Sequence, residues 1–238
     1  MNFSAKNSDK SYKYDTDYGR QMVGKAIGGL IQDIRNFIKK ERGVSDINLI
    51  IHCHSYKISR ILAEHMIGIN SRNSSKFMFH LKDKEGVINK PSGVSITPHK
   101  KETMLKIIYS SNVSGMTYIS PSLVEGVDFK NDKARAQIIL KAAVPYFGDG
   151  YVKAKTIGDY HLGVKKSPGY MDSVILTKLI QAYGRIVRSV DDWGYTFVID
   201  QKLKDVIYNN KRSGIKENLN DEENTAVYLW TTIQYYIW

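Results

Sequence analysis

Apolar positions along the chain switch between two spacings, and the switches mark out the elements. From Gln21 to Lys40, the residues Val23, Ile27, Leu30, Ile31, Ile34 and Ile38 recur at steps of three and four, which aligns them on one helical face. Ile47-Asn48-Leu49-Ile50-Ile51 then reads as a buried strand, with His52-Cys53-His54-Ser55 at its carboxyl end. Helical spacing returns from Ile58 to Ile67, Phe77-Met78-Phe79 is a short strand, and Gly86 to Pro98 reads as loop. Met104 to Tyr109 predicts a helix, Met116 to Ile119 a strand, and Ala136 to Val144 a longer β-rich segment. Gly148 to Gly163 mixes glycines with aromatics, and an excursion on the surface is expected near 147–167. Pro168 opens a long helix to about Val190, Tyr195 to Ile199 is a strand, and the chain is helical from Leu203 onward. Residues 1–17 are polar and read as a flexible lead-in, leaving 18–238 as one domain. Strands that alternate with helices predict an α/β fold, a parallel sheet with helices on both faces. In such folds ligands sit beyond the carboxyl ends of the strands.

Composition narrows this picture. The chain has 238 residues, 42% of them apolar and 25% charged, the values of a folded globular protein. That length suits one sizeable domain better than two nucleotide-binding domains of roughly 150–200 residues each. The single cysteine, Cys53, excludes an intrachain disulfide and any all-cysteine metal site within the chain. No apolar run reaches the roughly 18 residues of a membrane span, and the polar start is not a signal peptide, so a soluble, cytoplasmic protein is expected. The net charge of +11 fits either an acidic partner such as nucleic acid or a protein that is simply basic. Its lysines and arginines are spread in pairs, among them Lys39-Lys40 and Lys165-Lys166, which suits a folded surface better than a disordered arm.

Two stretches carry candidate chemistry. In the helix expected from Asp172 to Arg188, Ile175, Leu179, Ala182 and Ile186 form one stripe, and Gln181, Arg185 and Arg188 form the stripe beside it, with Gly184 between. Planar, permanently charged arginines beside a glycine suit phosphate recognition, although a solvated polar face has the same spacing. The second stretch, Ser120-Pro121-Ser122-Leu123-Val124-Glu125-Gly126-Val127-Asp128-Phe129, directly follows a predicted strand, where a doubly wound sheet keeps its ligand loops.

In this order the stretches resemble the XPD/DinG-type superfamily 2 DNA helicases. Glu125-Gly126-Val127-Asp128-Phe129 looks like helicase motif V, and Gln181-Ala182-Tyr183-Gly184-Arg185-Ile186-Val187-Arg188 looks like motif VI, the Q-x-x-G-R-x-x-R segment. Leu49 to Tyr56 resembles motif IV, and Val144-Pro145-Tyr146, Asp192-Trp193-Gly194 and Val198-Ile199-Asp200 resemble further family segments. The sequence departs from the family at Val124, at Gln201-Lys202 after Asp200, and at His52-Cys53-His54.

The resemblance implies a second RecA-like motor domain, a phosphate-loop NTPase-like fold without a working phosphate loop. It implies that Arg185 and Arg188 act as arginine fingers and that Gln181 faces the γ-phosphate. ATP and Mg2+ would be bound mainly by a first, Walker A-bearing RecA-like domain supplied in cis or in trans. Glu125, Gly126, Asp128 and Gly184 would couple nucleotide state to the grip on single-stranded DNA. Ser55, Tyr56, Ser120 and Ser122 would touch that strand. Any iron–sulfur cluster would lie outside this chain, which alone is expected to hydrolyse ATP negligibly. The rival reading is a non-catalytic module that binds nucleic acid or protein with a helicase-like fold.

Three further features invite chemistry. Gly19-Arg20-Gln21-Met22-Val23-Gly24-Lys25-Ala26 nearly matches the phosphate-loop pattern G-x-x-x-x-G-K-S/T, which would make the chain a self-contained ATPase. The match fails at Ala26, which has no hydroxyl for Mg2+, and no apolar strand precedes it. His52 and His54 share a strand face but have no identifiable third metal ligand, so no metal site is expected. The terminal Tyr235-Tyr236-Ile237-Trp238 is read as packing.

Overall fold

The longest amphipathic stretch forms α1 (Asp17–Arg42) in the computed structural model, which describes residues 13–82, 86–110, 113–123, 127–129, 131–159, 161, 163–187, 192–209 and 225–229. Thr16 starts this helix by accepting a hydrogen bond from Gly19 N at 3.0 Å, and Gly43 ends it in the left-handed region at φ 70°. The strand β1 (Leu49–His52), the helix α2 (Tyr56–His65) and β2 (Phe77–His80) follow as the apolar spacing predicts. The stretch read as loop instead forms a two-stranded antiparallel hairpin, β3 (Ile88–Asn89) and β4 (Ser95–Ile96), followed by β5 (Pro98–His99). Strands of two residues are too short to show a period of two. The hairpin docks through Lys90, whose ammonium donates to Met66 O just beyond α2.

Next come α3 (Lys101–Ser110), β6 (Thr117–Ser120) and β7 (Ala136–Ile139). The β-rich segment expected to reach Val144 stops at Ile139. Within the expected excursion lies a helix, α4 (Gly150–Ile157), capped by Asp149 accepting from Val152 N at 3.0 Å. The chain closes with α5 (Tyr170–Tyr183), β8 (Gly194–Val198), α6 (Gln201–Asn209) and β9 (Thr225–Leu229). The last of these corrects the expectation that the chain is helical throughout from Leu203.

Seven strands form one sheet in the order β5-β2-β6-β1-β7-β8-β9, and every pairing in it is parallel. Side-chain alternation sorts the core into two faces. Leu49, Ile51, Phe77, Phe79, Ile119, Ile138 and Phe197 pack under α1 and α2. Ile50, Met78 and Tyr118 pack under α3, while Ile139 and Val198 pack under α5 and α6. This is the expected RecA-like arrangement, a parallel sheet with helices on both faces. Among the described residues no helix is long and apolar enough to cross a membrane.

The near-match to a phosphate loop lies inside α1. A Cβ on Gly24 would stand 2.3 Å from both C and O of His65, and one on Gly28 would stand 2.5 Å from Ile67 O. These glycines let the carboxyl end of α2 approach the helix. Their backbone is helical, so no loop is present to curl around a phosphate, and the self-contained ATPase reading does not hold.

At the amino edge of the sheet, Arg135 donates to the buried carboxylate of Asp192 and to Trp193 O at 2.9 Å. Trp193 lies between two guanidinium groups, Arg135 at 4.7 Å and Arg42 at 5.5 Å from its ring centroid. Gly194 packs closely here, since a Cβ would press on the side chain of Ile186, 2.9 Å from its Cδ1. The Asp-Trp-Gly run thus fastens the start of β8.

Candidate nucleotide- and strand-facing site

Six strands end together at the carboxyl edge, and their last residues are His99, His80, Ser120, His52, Ile139 and Val198 in spatial order. Paired residues on neighbouring strands project to the same face, so polar groups gather along one rim. His80 is the hub of this rim. Its Nδ1 stands 2.9 Å from Ser120 Oγ and 3.2 Å from Ser122 Oγ, and its Nε2 stands 3.4 Å from the Tyr56 hydroxyl. The Tyr56 ring meets the imidazole edge-on at a centroid distance of 5.1 Å. Ser120 Oγ also accepts from Ser122 N at 3.2 Å, and Ser59 Oγ donates to His80 O at 2.9 Å.

Three of the four residues expected to face a single strand, Tyr56, Ser120 and Ser122, therefore lie on one imidazole. Ser55 stands apart from that cluster, because it caps α2 by accepting from Ile58 N at 3.2 Å. His80 itself was missed from the sequence, where it is one histidine after a short strand. The available signal was positional, since His52, His80 and His99 each end a strand.

The two helicase-like stretches meet beside this rim. Leu123, Val127, Phe129 and Ile186 share one buried cluster with Tyr118. Phe129 N donates to Arg185 O at 3.0 Å, and Arg185 Nη1 donates to Val127 O at 3.2 Å. Asp128 N is held by the Tyr109 hydroxyl at 2.9 Å. Glu125, Gly126 and Arg188 lie outside the described residues, as do Val124 and the terminal aromatics.

The helix carrying Gln181 is shorter than its apolar spacing implies. It ends at Tyr183, with Gly184 as its cap, so Gln181 is exposed on the last turn while Arg185 sits in the turn beyond. Gln137, buried in the sheet, causes this. Its amide donates to Ala182 O at 3.0 Å, and Arg185 N turns back to the same carbonyl at 3.1 Å. The apolar stripe breaks at that point: Ile175, Leu179 and Ala182 pack with α6, but Ile186 crosses to the cluster under α3. A Cβ on Gly184 would meet only Ile180 O, at an ordinary 3.6 Å, so packing within the described residues does not demand glycine there.

Burial assigns the remaining reactive groups to structure. It pushes the Cys53 thiol up to about 12, which leaves it protonated and inert. His52 is fully enclosed and pushed down to about 4, so its ring is neutral. Gln137 fixes its tautomer: the Gln137 amide nitrogen is spent on Ala182 O and Thr196 Oγ1, so its Oε1 accepts from His52 Nε2–H at 2.9 Å. Asp200 is buried, which raises its pKa, and its carboxylate accepts from Ala142 N at 2.7 Å and so ties the strand-end loop to α6. Among the described residues no three His, Cys, Asp or Glu side chains gather as a metal site.

A parallel sheet flanked by helices, with a motif V-like loop bonded to a motif VI-like turn at its carboxyl side, defines a RecA-like domain of the helicase-motor class. The model of the helicase C-terminal domain family matches residues 38–217, three quarters of the chain. The chain belongs to that family, the C-terminal helicase domain of XPD/DinG-type superfamily 2 helicases. No curated protein matches its sequence.

Proposed function

We propose that this chain is the second motor domain of an ATP-dependent DNA helicase or translocase of the XPD/DinG type. In this reading a first RecA-like domain, in cis or in trans, binds ATP and Mg2+ through its Walker motifs. Arg185 and Arg188 reach that ATP across the cleft, and Gln181 faces its γ-phosphate. Positive charge placed there stabilises the transferring phosphoryl group, an effect on the order of 10³–10⁵ in rate for related nucleotide hydrolases. Gly184, where among the described residues a Cβ would meet only Ile180 O at 3.6 Å, leaves room for the nucleotide to approach.

One observation carries the reading. Arg185 is bonded to the motif V-like loop through both its backbone and its guanidinium, and that loop shares a buried cluster with Leu123, one residue beyond Ser122. A shift at the nucleotide side would move Val127 and Phe129, and through Leu123 the Ser120–Ser122–Tyr56 rim that would hold single-stranded DNA. Glu125, Gly126 and Asp128 lie on this coupling segment.

The same bond to Val127 O favours a second reading, in which Arg185 is only a staple within a non-catalytic binding module. Arg185→Lys and Arg185→Ala in the motor reassembled with its first domain separate the two. As a finger, Arg185 loses at least tenfold in ATP turnover with either variant, because lysine lacks the planar fork. As a staple in a non-catalytic module, Arg185 leaves ATP turnover untouched in both variants, while thermal stability falls with alanine and is restored by lysine, which keeps a donor.

A further inference from the structure

Beneath α5 the sheet carries a polar seam where central parallel strands are ordinarily apolar. Its members are His52 of β1, Gln137 of β7 and Thr196 of β8, all buried. Register brings them together: Gln137 pairs with Ile50 on one side and with Thr196 on the other, and His52 lies two residues on from Ile50, so the three share a face. Every bond runs through Gln137. Its Oε1 accepts from His52 Nε2–H at 2.9 Å, and its amide nitrogen donates to Thr196 Oγ1 at 2.8 Å and to Ala182 O at 3.0 Å. The first two bonds stay within the sheet, whereas the third reaches out of it into the last turn of α5. A buried network satisfied in this way holds its partners in one arrangement.

The arrangement it holds is the end of the helix. In a continuing α-helix Ala182 O would accept from Ile186 N, four residues on. A carbonyl oxygen has two lone pairs, and here Gln137 takes one while Arg185 N, turned back by three residues, takes the other at 3.1 Å. Ile186 therefore leaves the stripe of Ile175, Leu179 and Ala182 and enters the cluster of Tyr118, Val127 and Phe129. Arg185 is carried with it, so that its carbonyl accepts from Phe129 N at 3.0 Å and its guanidinium donates to Val127 O at 3.2 Å. The cap residue does not impose this stop. Gly184 has φ −67°, which any residue adopts, and among the described residues a Cβ on it meets only Ile180 O, at 3.6 Å.

We infer that Gln137 is a positioning residue for Arg185: by occupying Ala182 O it ends α5 about one turn before the apolar stripe does, and so aims the arginine. The inference rests on the finger reading above and deepens it, because Gln137 acts only through the turn that it holds.

Gln137→Met tests this, since methionine keeps the length of the side chain and removes its donors. In the full chain, backbone NMR should then show helical Cα shifts continuing through residues 184–187, and the Ile186 methyl contacts should move from Phe129 to Leu179. Thr196→Val removes the other acceptor of the same amide; it should cost stability and leave the end of α5 at Tyr183. In the unaltered chain the Gln137 side-chain amide protons should exchange slowly and show contacts to Ala182, a measurement that needs no variant to fold. In the motor assembled with a first RecA-like domain, Gln137→Met should lower kcat on the order of tenfold or more and leave KM for ATP nearly unchanged, the mark of a misplaced group that acts in the transition state. An α5 that still ends at Tyr183 in Gln137→Met, an equal lengthening in Thr196→Val, or fast exchange of the Gln137 amide overturns the inference. So does an unaltered kcat for Gln137→Met in a motor that Arg185→Ala slows. A motor indifferent to Arg185→Ala sinks the finger reading itself, a separate failure, and the NMR result still decides whether Gln137 holds the turn.

Discussion

Three glycines of α1 should respond to the same substitution with opposite signs. Alanine is favoured over glycine within a helix by about 1 kcal/mol, so by propensity alone every Gly→Ala change here stabilises. Gly29 tests that term by itself, because a Cβ there meets nothing within 4 Å. At Gly24 the added Cβ would stand 2.3 Å from the carbonyl carbon and oxygen of His65, and at Gly28 2.5 Å from Ile67 O. These obstacles are backbone at the end of α2, so the contact is relieved only by separating two helices that pack over the buried Ile27 and Leu62. Overpacking of this kind costs typically about 1–3 kcal/mol, more where backbone must shift, and it outweighs the helix gain. At about 2–4 °C per kcal/mol for a chain of this size, Gly24→Ala should lower the melting temperature by several degrees. Gly29→Ala should raise it by about 1–4 °C. Thermal unfolding followed by circular dichroism reads both. Equal stabilisation at Gly24 and Gly29 would refute the close helix contact, and with it the explanation of the phosphate-loop look-alike as a packing motif.

Two other outcomes follow from the rim. His52 is pushed down to about 4 from 6.5, so the unfolded chain binds the proton more tightly and stability falls as pH drops from 6.5 toward 4. The shift corresponds to about 3 kcal/mol, and denaturant titrations across that window should show a shallower acid slope for His52→Gln; an unchanged slope would mean that His52 is not buried neutral. His80→Ala should loosen Tyr56, Ser120 and Ser122 and weaken single-strand affinity about tenfold at low salt, while affinity of the unaltered chain falls steeply with salt. A flat salt response would remove the argument from the +11 charge.

The parallel α/β architecture was legible because β1 and β2 carry continuous apolar runs, and β6 and β8 short clusters of aromatic and β-branched residues, between helical stretches. What escaped was either too short or decided at a distance. The two-residue strands β3 and β4 show no period, and α4 buries only Ala154, so no stripe marks it. The end of α5 escaped because the stripe through Ile186 continues helical spacing, while the residue that stops the helix, Gln137, lies 45 positions upstream. The motif V-like and motif VI-like stretches were recognisable from local sequence, yet their mutual bonds depend on tertiary approach. His80 offered only its position at a strand end, since its partners Ser120 and Ser122 come from the end of a strand 40 positions away.

The most direct test of the account is ATP turnover by this chain, measured alone and together with a first RecA-like domain, with and without single-stranded DNA. A second motor domain should show negligible turnover alone, DNA-stimulated turnover in the assembled motor, and at least a tenfold loss there on Arg188→Ala with the fold intact. Turnover by the isolated chain, or an assembled motor indifferent to Arg188, would contradict it.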